Sequence, residues 1–261
     1  RTLRVAFFKP AHELNDDLKD QYNRNQVGIT RQLRFSARSE KSLDVTLSVN
    51  GIPVATLELK NPMTGQTVED ARQQYRQDRD PREPIFEFKR RTLVHFAVDT
   101  EAVLMTTRLA GSATHFLPFN RGDAGGAGNP PDPLGRSYRT AYLWEEVLAR
   151  DSLLDVLARF LHLQVEEKRD EQGRKVRIEQ MVFPRYHQLQ AVRQLADAAR
   201  SEGPGHNYLI EHSAGSGKSN TIAWLAHRLS SLHDHHDERV FDSVIVITDR
   251  LVLDKQLQNT I

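Results

Sequence analysis

The stretch "LSVNGIPVATLELKNP", residues 47–62, has the pattern of a β-hairpin. Asn50-Gly51 is a typical turn dipeptide, and it lies between two runs in which apolar and polar residues alternate. Because side chains alternate between the faces of a strand, Glu58 and Lys60 are expected on one side of the second strand. The stretch therefore predicts a hairpin that carries a carboxylate and an ammonium group at its end.

The register of this hairpin follows from keeping the apolar faces of its strands, within residues 43–60, together. A strict two-residue turn would set the apolar face of one strand beside the charged face of the other. One additional residue, in an odd-length loop or a β-bulge, restores the match. We therefore predict such a loop or bulge, with Asp44 on the same face as Glu58 and Lys60.

These three side chains form a candidate catalytic site. The carboxylates of Asp44 and Glu58, with the carbonyl of Leu59, are oxygen ligands of the kind that Mg²⁺ prefers. Lys60 is suited to orienting or helping to deprotonate a water molecule that attacks a phosphate, and to offsetting charge in the transition state. The alternative is a surface strand with an incidental ion pair, since the pattern is short.

A helix is expected to follow at about 67–79, with Thr67 and Asp70 at capping-box-like spacing. Its cations recur along one side, as a track for a phosphate backbone requires. Acidic residues between them are equally compatible with a solvated helix. The candidate DNA contacts are Arg72, Gln74, Tyr75, Arg76 and Arg79.

A second candidate site is the glycine-rich segment in "EHSAGSGKSNTIAWLAHRL", residues 211–229. It is expected between an apolar strand at 208–212 and a helix at 218–232, where backbone N–H groups can hold phosphates. Lys218 would contact the β- and γ-phosphates, and Ser219 the Mg²⁺. The candidate nucleotide-binding residues are Gly215, Ser216, Gly217, Lys218, Ser219 and, as an adenine contact, Gln188, whose alternative interpretation is an exposed helix residue.

The pattern along the chain indicates two α/β domains. Residues 1–165 would form the first domain, and the charged segment 166–180 a linker. From 181 to 261, a helix at 187–200 and apolar strands at 208–212 and 243–248 predict the beginning of a parallel-sheet domain. Neither a long apolar run nor a signal-peptide pattern is present, so we expect a cytoplasmic protein without membrane contact.

Composition excludes several classes of function. The chain of 261 residues contains no cysteine, which rules out disulfides, thiolate metal sites and cysteine nucleophiles. Its net charge of +1 means that any nucleic-acid site must be a local patch of cations.

Taken together, the chain resembles the restriction subunit of type I restriction-modification enzymes. The resemblance runs in order through "DVTLSVNGIPVATLELKNP", "QYRQDRDPREPIFEFKRRTLVHFAVD", "TTRLAGSATHFLPFNRG", "YLWEEVLARDSLLDVLARF", "RYHQLQAV", "HSAGSGKSNTIAWLAHRL" and "VIVITDRLVLDKQL". It implies a mixed-sheet endonuclease domain of the PD-(D/E)-x-K type with flanking helices, followed by the beginning of a RecA-like superfamily 2 helicase lobe.

The resemblance also implies an activity. Asp44, Glu58 and Lys60 match the family's nuclease residues, Gln188 its adenine-reading motif, and the loop around Lys218 its motif I. The implied function is Mg²⁺-dependent hydrolysis of double-stranded DNA coupled to ATP-driven translocation, with modification (methyltransferase) and specificity subunits as partners. The family's Gln-x-x-x-Tyr element is absent at its usual spacing, because Gln74 and Tyr75 are adjacent.

Two other functions are compatible with the residues. One is a free-standing nuclease–helicase of DNA repair or phage defence, and the other is a noncatalytic nucleotide-binding scaffold with an inactive nuclease fold. We further expect that residues 1–261 alone do not turn over ATP, since no apolar strand ending in an Asp-Glu pair follows the loop.

Overall fold

A computed structural model describes residues 4–11, 15–169 and 172–247 of the chain. The chain divides into two compact units, the first formed by residues 1–7, 24–154 and 161–183, and the second by residues 8–23, 155–160 and 184–261. The α-helices are α1 (Asp16–Asn23), α2 (Val68–Asp78), α3 (Arg150–Arg159), α4 (Tyr186–Glu202) and α5 (Lys218–Ser230).

The first unit is built on a six-stranded mixed sheet. Its strands are β1 (Val27–Arg34), β2 (Ser42–Val49), β3 (Ile52–Leu59), β4 (Val94–Val98), β5 (Val103–Thr106) and β6 (Leu117–Pro118), and they are arranged in sequence order. Neighbouring strands are antiparallel except for β3 and β4, which are parallel. Parallel neighbours need a crossover connection, and α2 provides it.

The predicted hairpin is present as β2 and β3, and the register is corrected by a bulge. Val49 pairs with Ile52 across a two-residue turn at Asn50 and Gly51, both of which have positive φ angles of 50° and 83°. The register then shifts beside Leu47 and Ser48, so that the remaining pairs keep the apolar faces together. The turn thus has the preferred two-residue length, and the bulge alone supplies the additional residue.

Helix α2 is held at its beginning by the predicted capping box. The Thr67 side chain accepts a hydrogen bond from the helix backbone, and the Asp70 carboxylate accepts one from the Thr67 N–H at 2.7 Å. Ala71 and Tyr75 are fully buried and pack against Phe86 in one hydrophobic core. Helix α2 therefore covers the face of the sheet that carries Thr56.

Residues 166–180, which we expected to form a linker, belong largely to a second hairpin. Strands β7 (His162–Arg169) and β8 (Lys175–Val182) pair in antiparallel fashion over their whole length. The segment is rich in charge, but apolar residues such as Val165 and Ile178 recur at strand spacing within it. Cross-strand hydrogen bonds give order to such a segment without a large apolar core. Shorter elements are a 3₁₀ turn at Pro62–Thr64 and a π-helical turn at Leu143–Val147.

In the second unit, helices α4 and α5 agree with the predictions, but the expected strands do not form. The described residues of 208–212 and 243–247 have no strand structure, and residue 248 lies outside the described residues. Leu209 and Ile247 are 93% and 89% exposed. A strand needs a neighbour for its backbone N–H and C=O groups, and no strand lies beside these segments within the described part of the unit. The prediction of a parallel sheet is therefore wrong for the described residues.

Candidate active site

The end of the β2/β3 hairpin brings two carboxyl groups together. The amide N–H of Leu59 donates to Asp44 Oδ2 at 2.8 Å, which places the Asp44 side chain against the end of β3. Gln32 donates to the other oxygen, Oδ1, at 3.1 Å. Because Val45 pairs with Leu57, Asp44 and Glu58 lie at facing positions of the two strands, and the charge of Asp44 acts on the Glu58 carboxyl group. The predicted meeting of Asp44 and Glu58 on one face is therefore observed.

Glu58 is fully buried and forms an ion pair with Arg79. The guanidinium of Arg79 donates from Nε to Glu58 Oε1 at 2.7 Å, and its Nη2 lies 2.6 Å from the same oxygen. It also donates to the carbonyl oxygen of Ser42 at 2.8 Å and lies 5.3 Å from the centre of the Phe35 ring. Arg79 thereby ties the beginning of β2 to the end of β3.

The second oxygen of Glu58, Oε2, is buried and receives no hydrogen bond from a donor. The neighbouring Asp44 carboxylate is itself an acceptor, so the two groups must share a proton or a cation. Burial raises the pKa of Glu58 from 4.5 to about 7; the charge of Arg79 opposes this rise, and that of Asp44 adds to it. Two adjacent carboxyl groups with one unsatisfied buried oxygen are a donor set that fits Mg²⁺.

Lys60, the third predicted catalytic residue, directly follows β3. Its backbone N–H donates to the carbonyl of Val98 at 2.8 Å, so strand-like pairing continues beyond the end of β3. Alternation then places Lys60 on the same face as Glu58. The side chain is only partly buried, and its ammonium group forms no ion pair or hydrogen bond with the residues that the structure describes.

The residues proposed as DNA contacts on α2 are engaged within the protein. Tyr75 is fully buried, and its hydroxyl group lies 2.8 Å from that of Thr56, which in turn lies 2.7 Å from Nδ1 of His95. Arg76 donates twice to the carbonyl oxygen of Thr114, and Arg72 is paired with Glu69. Gln74 is half-buried, and its Oε1 has no hydrogen-bond partner.

The prediction of surface DNA contacts is therefore wrong for Arg79 and Tyr75, which are 3% and 0% exposed. The helix ends at Asp78, and the non-helical backbone of Arg79 turns its side chain into the core. Glu58 is the reason, because a buried carboxylate needs a partner of opposite charge. The sequence offered one signal for this ion pair, which is the combination of two features. A basic residue directly follows the helix, and a carboxylate occurs in a strand whose other residues are largely apolar.

The glycine-rich loop in the second unit leads directly into α5. Gly217 is the N-cap residue with φ 82°, and Gly215 also has a positive φ, of 74°. The ammonium group of Lys218 donates to the carbonyl oxygens of His212 and Ser213 at 2.8 and 2.9 Å. The loop therefore closes around the lysine at the N-terminus of a helix, where backbone N–H groups can donate hydrogen bonds to a phosphate.

Gln188 connects α4 to this loop and is not an exposed helix residue. It is buried; its Oε1 accepts from the N–H of Arg185 at 2.8 Å, and its Nε2 donates to the carbonyl of Gly217 at 2.9 Å. Both polar atoms of the amide thus hold protein groups in this structure.

His187 is a residue of this site that the sequence analysis missed. Its Nε2 lies 3.2 Å from the carbonyl oxygen of Ser216, and its ring packs edge-on against that of His212 at 4.8 Å. Partial burial lowers the pKa of His187; the contact with Ser216 opposes this change, and His212 reinforces it. The sequence signal was its position next to Gln188.

Replacing Gly217 by alanine is expected to distort the loop. An added Cβ would lie 2.5 Å from Gln188 Nε2, in a backbone conformation that already disfavours side chains. Gly215→Ala is a matched control, because its φ is also positive but no atom lies within 4 Å of the added Cβ. Urea unfolding should give Gly217→Ala a loss of about 1–3 kcal/mol beyond that of the control. Equal stability of the two variants would contradict this role of Gly217.

Each of the two units carries one candidate site. The first unit is a mixed α/β domain with two neighbouring carboxyl groups on the inner strands β2 and β3 of a helix-covered sheet, and the second carries a glycine-rich loop before a helix. Among the described residues, no helix has the length and apolar character needed to cross a membrane.

Comparisons with known proteins give matches to two protein families. Residues 11–114 match the family described as type I restriction enzyme R protein N terminus, and residues 187–261 match the SWI2/SNF2 ATPase family. The chain is 24% identical to the putative type I restriction enzyme MjaVIIIP endonuclease subunit of Methanocaldococcus jannaschii, over 91% of this chain and 21% of that protein. It is also 24% identical to the type I restriction enzyme HindI endonuclease subunit of Haemophilus influenzae, over 92% of this chain and 22% of that protein.

No solved structure gives a significant match. The chain spans about a fifth of the length of the curated relatives that it matches. The chain is therefore similar to the R proteins of type I restriction enzymes, and the matched model covers the N terminus of these proteins.

Proposed function

We propose that this chain carries the DNA-cleaving centre and the beginning of the ATP-driven motor of a type I restriction endonuclease. The carrying observation is the buried Oε2 of Glu58, which receives no hydrogen bond and lies beside the carboxylate of Asp44. A buried acceptor pair of this kind is stabilised by a cation. The two relatives are named as endonuclease subunits, which supports the same activity.

In this proposal, Asp44 and Glu58 hold a Mg²⁺ ion. The bound ion would supply Lewis-acid polarisation of a backbone phosphate and of a water molecule. Lys60 lies on the same face with a free ammonium group, so it can orient the attacking water and offset the charge that develops on the phosphate oxygens. The burial of Glu58 restricts water access to one side of the site and strengthens these interactions.

The second unit would bind ATP through the loop from Gly215 to Ser219, with the ammonium group of Lys218 at the phosphates. The match to an ATPase family supports this assignment. A RecA-like arrangement and an adenine contact by Gln188 remain parts of the proposal. Double-stranded DNA, the modification subunit and the specificity subunit are the proposed partners. Failure to co-purify with a methyltransferase–specificity complex would favour a free-standing nuclease–helicase.

Lys60→Ala tests the nuclease assignment. In the full-length protein assembled with its partners, we expect Mg²⁺-dependent cutting of duplex DNA to fall by about 10²-fold or more, because the charge on the phosphate is no longer offset. Metal binding, measured by calorimetry, should persist because both carboxylates remain. The control is Lys175→Ala, which removes an exposed lysine from β8. Cutting that survives both Lys60→Ala and Glu58→Ala would instead favour a noncatalytic scaffold.

A groove in the first unit replaces the α2 surface as the proposed path of the DNA. Its volume is about 910 Å³, and its lining includes Phe35, whose ring centre lies 5.3 Å from the Arg79 guanidinium. Four arginines and two acids line it: Arg34, Arg38, Arg82, Arg91, Asp80 and Glu83. Among the described residues, Arg38 and Arg91 have no ion-pair partner within 4 Å, whereas Arg82 is paired with Asp80.

The double variant Arg38→Ala/Arg91→Ala should therefore bind duplex DNA more weakly. We expect affinity to fall about tenfold or more and the salt dependence to decrease by roughly two ions, because two phosphate contacts are lost. Fluorescence anisotropy of a labelled duplex in EDTA, at several salt concentrations, measures both quantities. Arg136→Ala, which removes an exposed arginine outside the groove, is the control. Unchanged affinity of the double variant would eliminate this path without affecting the nuclease assignment.

A further inference from the structure

The acidic centre contains as much positive as negative charge. At a pH at which both carboxyl groups are ionised, Asp44 and Glu58 contribute two negative charges. Arg79, at 2.6 Å from Glu58, and Lys60, on the same face, contribute two positive charges. The proposed metal site therefore has a formal charge of zero before any ligand binds.

A site without net negative charge is expected to bind Mg²⁺ weakly. This ion loses its bound water molecules reluctantly. At most protein sites, carboxylates and substrate phosphates together balance its positive charge. Arg79 already satisfies one oxygen of Glu58, and each oxygen of Asp44 accepts one hydrogen bond, so within this carboxyl pair Oε2 alone has no donor and the other ligands of an ion must come from shared lone pairs or from a substrate. A phosphate group of a nucleic acid would contribute both the missing negative charge and a further oxygen ligand.

We propose that Arg79 makes metal capture at Asp44 and Glu58 depend on a bound nucleic-acid phosphate. This inference rests on the proposed nuclease function and adds a regulatory residue to it. Arg79 acts through Glu58 as a positioning residue, since it holds Oε1 and leaves Oε2 without a hydrogen-bond donor. A metal-activated site is thereby kept inactive until DNA occupies it.

The residues around Arg79 hold its guanidinium group in position beside Glu58. Its side chain is almost fully buried, is anchored by the Ser42 carbonyl and packs on the Phe35 ring. A buried charge is screened by salt much less than an exposed one.

The test compares Arg79→Gln with Arg79→Lys. Both variants lose the two-pronged hold on Glu58, but only the lysine keeps the charge. Calorimetry of the full-length protein at pH 8 measures Ca²⁺ affinity with and without a phosphorothioate duplex. Without DNA, Arg79→Gln should bind Ca²⁺ roughly tenfold or more tightly than Arg79→Lys. The gain in affinity on adding DNA should shrink by the same factor, because the coupling is reciprocal.

Equal DNA-free affinities of the two variants would overturn the inference. Circular dichroism shows whether Arg79→Gln folds. If it does not, Ca²⁺ affinity is measured on the native protein with and without DNA. We then expect DNA to raise the Ca²⁺ affinity by at least about tenfold, and an unchanged affinity would overturn the inference. Asp44→Asn separates the two levels of the argument. If it leaves Ca²⁺ binding intact, the proposed site itself is wrong; if it abolishes binding while the Arg79 variants behave alike, only the role of Arg79 is wrong.

Discussion

Replacing Glu58 by glutamine should abolish metal-dependent DNA cutting by the full-length protein, with a loss of about 10³-fold or more. Glutamine keeps the size of the side chain and can still accept from Arg79, but it removes one of the two negative charges that would hold Mg²⁺. The assay is cleavage of plasmid DNA in the assembled enzyme at fixed Mg²⁺. Glu167→Gln, which alters an exposed carboxylate on β7, is the matched control. Cleavage at the native rate would remove Glu58 from the site.

The same substitution should change the pH dependence of stability. The pKa of Glu58 is raised to about 7, so between pH 4.5 and pH 7 the folded protein binds a proton that the unfolded chain releases. This group therefore stabilises the fold below pH 4.5, and its contribution is lost as pH rises through 7.

The expected change over this range is about 3 kcal/mol. Urea unfolding in EDTA at pH 4.5, 6 and 8 measures it as the difference between the native protein and Glu58→Gln. The variant should gain relative stability as pH rises. A difference that does not vary with pH would mean that Glu58 titrates normally in the folded protein.

Lys218→Ala should have the second large effect, the loss of ATP-driven function. The lysine ammonium lies against the carbonyl oxygens of His212 and Ser213, where the phosphates of a nucleotide would meet it. Removing this cation should weaken ATP binding and turnover by about 10²-fold or more. Cutting that depends on translocation should be lost with it, whereas Ca²⁺ binding at Asp44 and Glu58 should be unchanged.

Nucleotide affinity, ATP hydrolysis and DNA cutting are measured on the same preparation of the full-length protein. Lys168→Ala, on β7, serves as the control because its side chain is largely exposed. ATP hydrolysis at the native rate in Lys218→Ala would show that the loop does not bind the phosphates.

Local patterns in the sequence were sufficient for the hairpin and for the helices that follow the two sites. The alternation of residues 43–60 required a register correction, and the structure has a bulge there. Thr67 and Asp70 marked the beginning of α2, and the glycines at 215 and 217 preceded the beginning of α5. These features depend on a few neighbouring residues, whose conformational preferences are local.

Strand formation in the second unit could not be read in the same way. The apolar segments at 208–212 and 243–247 have strand composition, but neither forms a strand in the described residues. In contrast, most of the charged segment 166–180 belongs to the two strands β7 and β8, which pair with each other as a hairpin. Strands are stabilised by partners that are often distant along the chain, so composition alone decides neither case.

The sequence by itself determined which residues could take part in chemistry, because Asp44, Glu58, Lys60 and the loop at Lys218 follow from alternation and spacing. Only the tertiary structure decided that Glu58 is buried, that Arg79 is its counter-ion rather than a surface contact, and that Gln188 holds the loop. Burial and ion pairing arise between residues far apart in the chain, here 58 and 79 or 188 and 217. The strength of such interactions depends on the removal of water, which a linear pattern of residues does not specify.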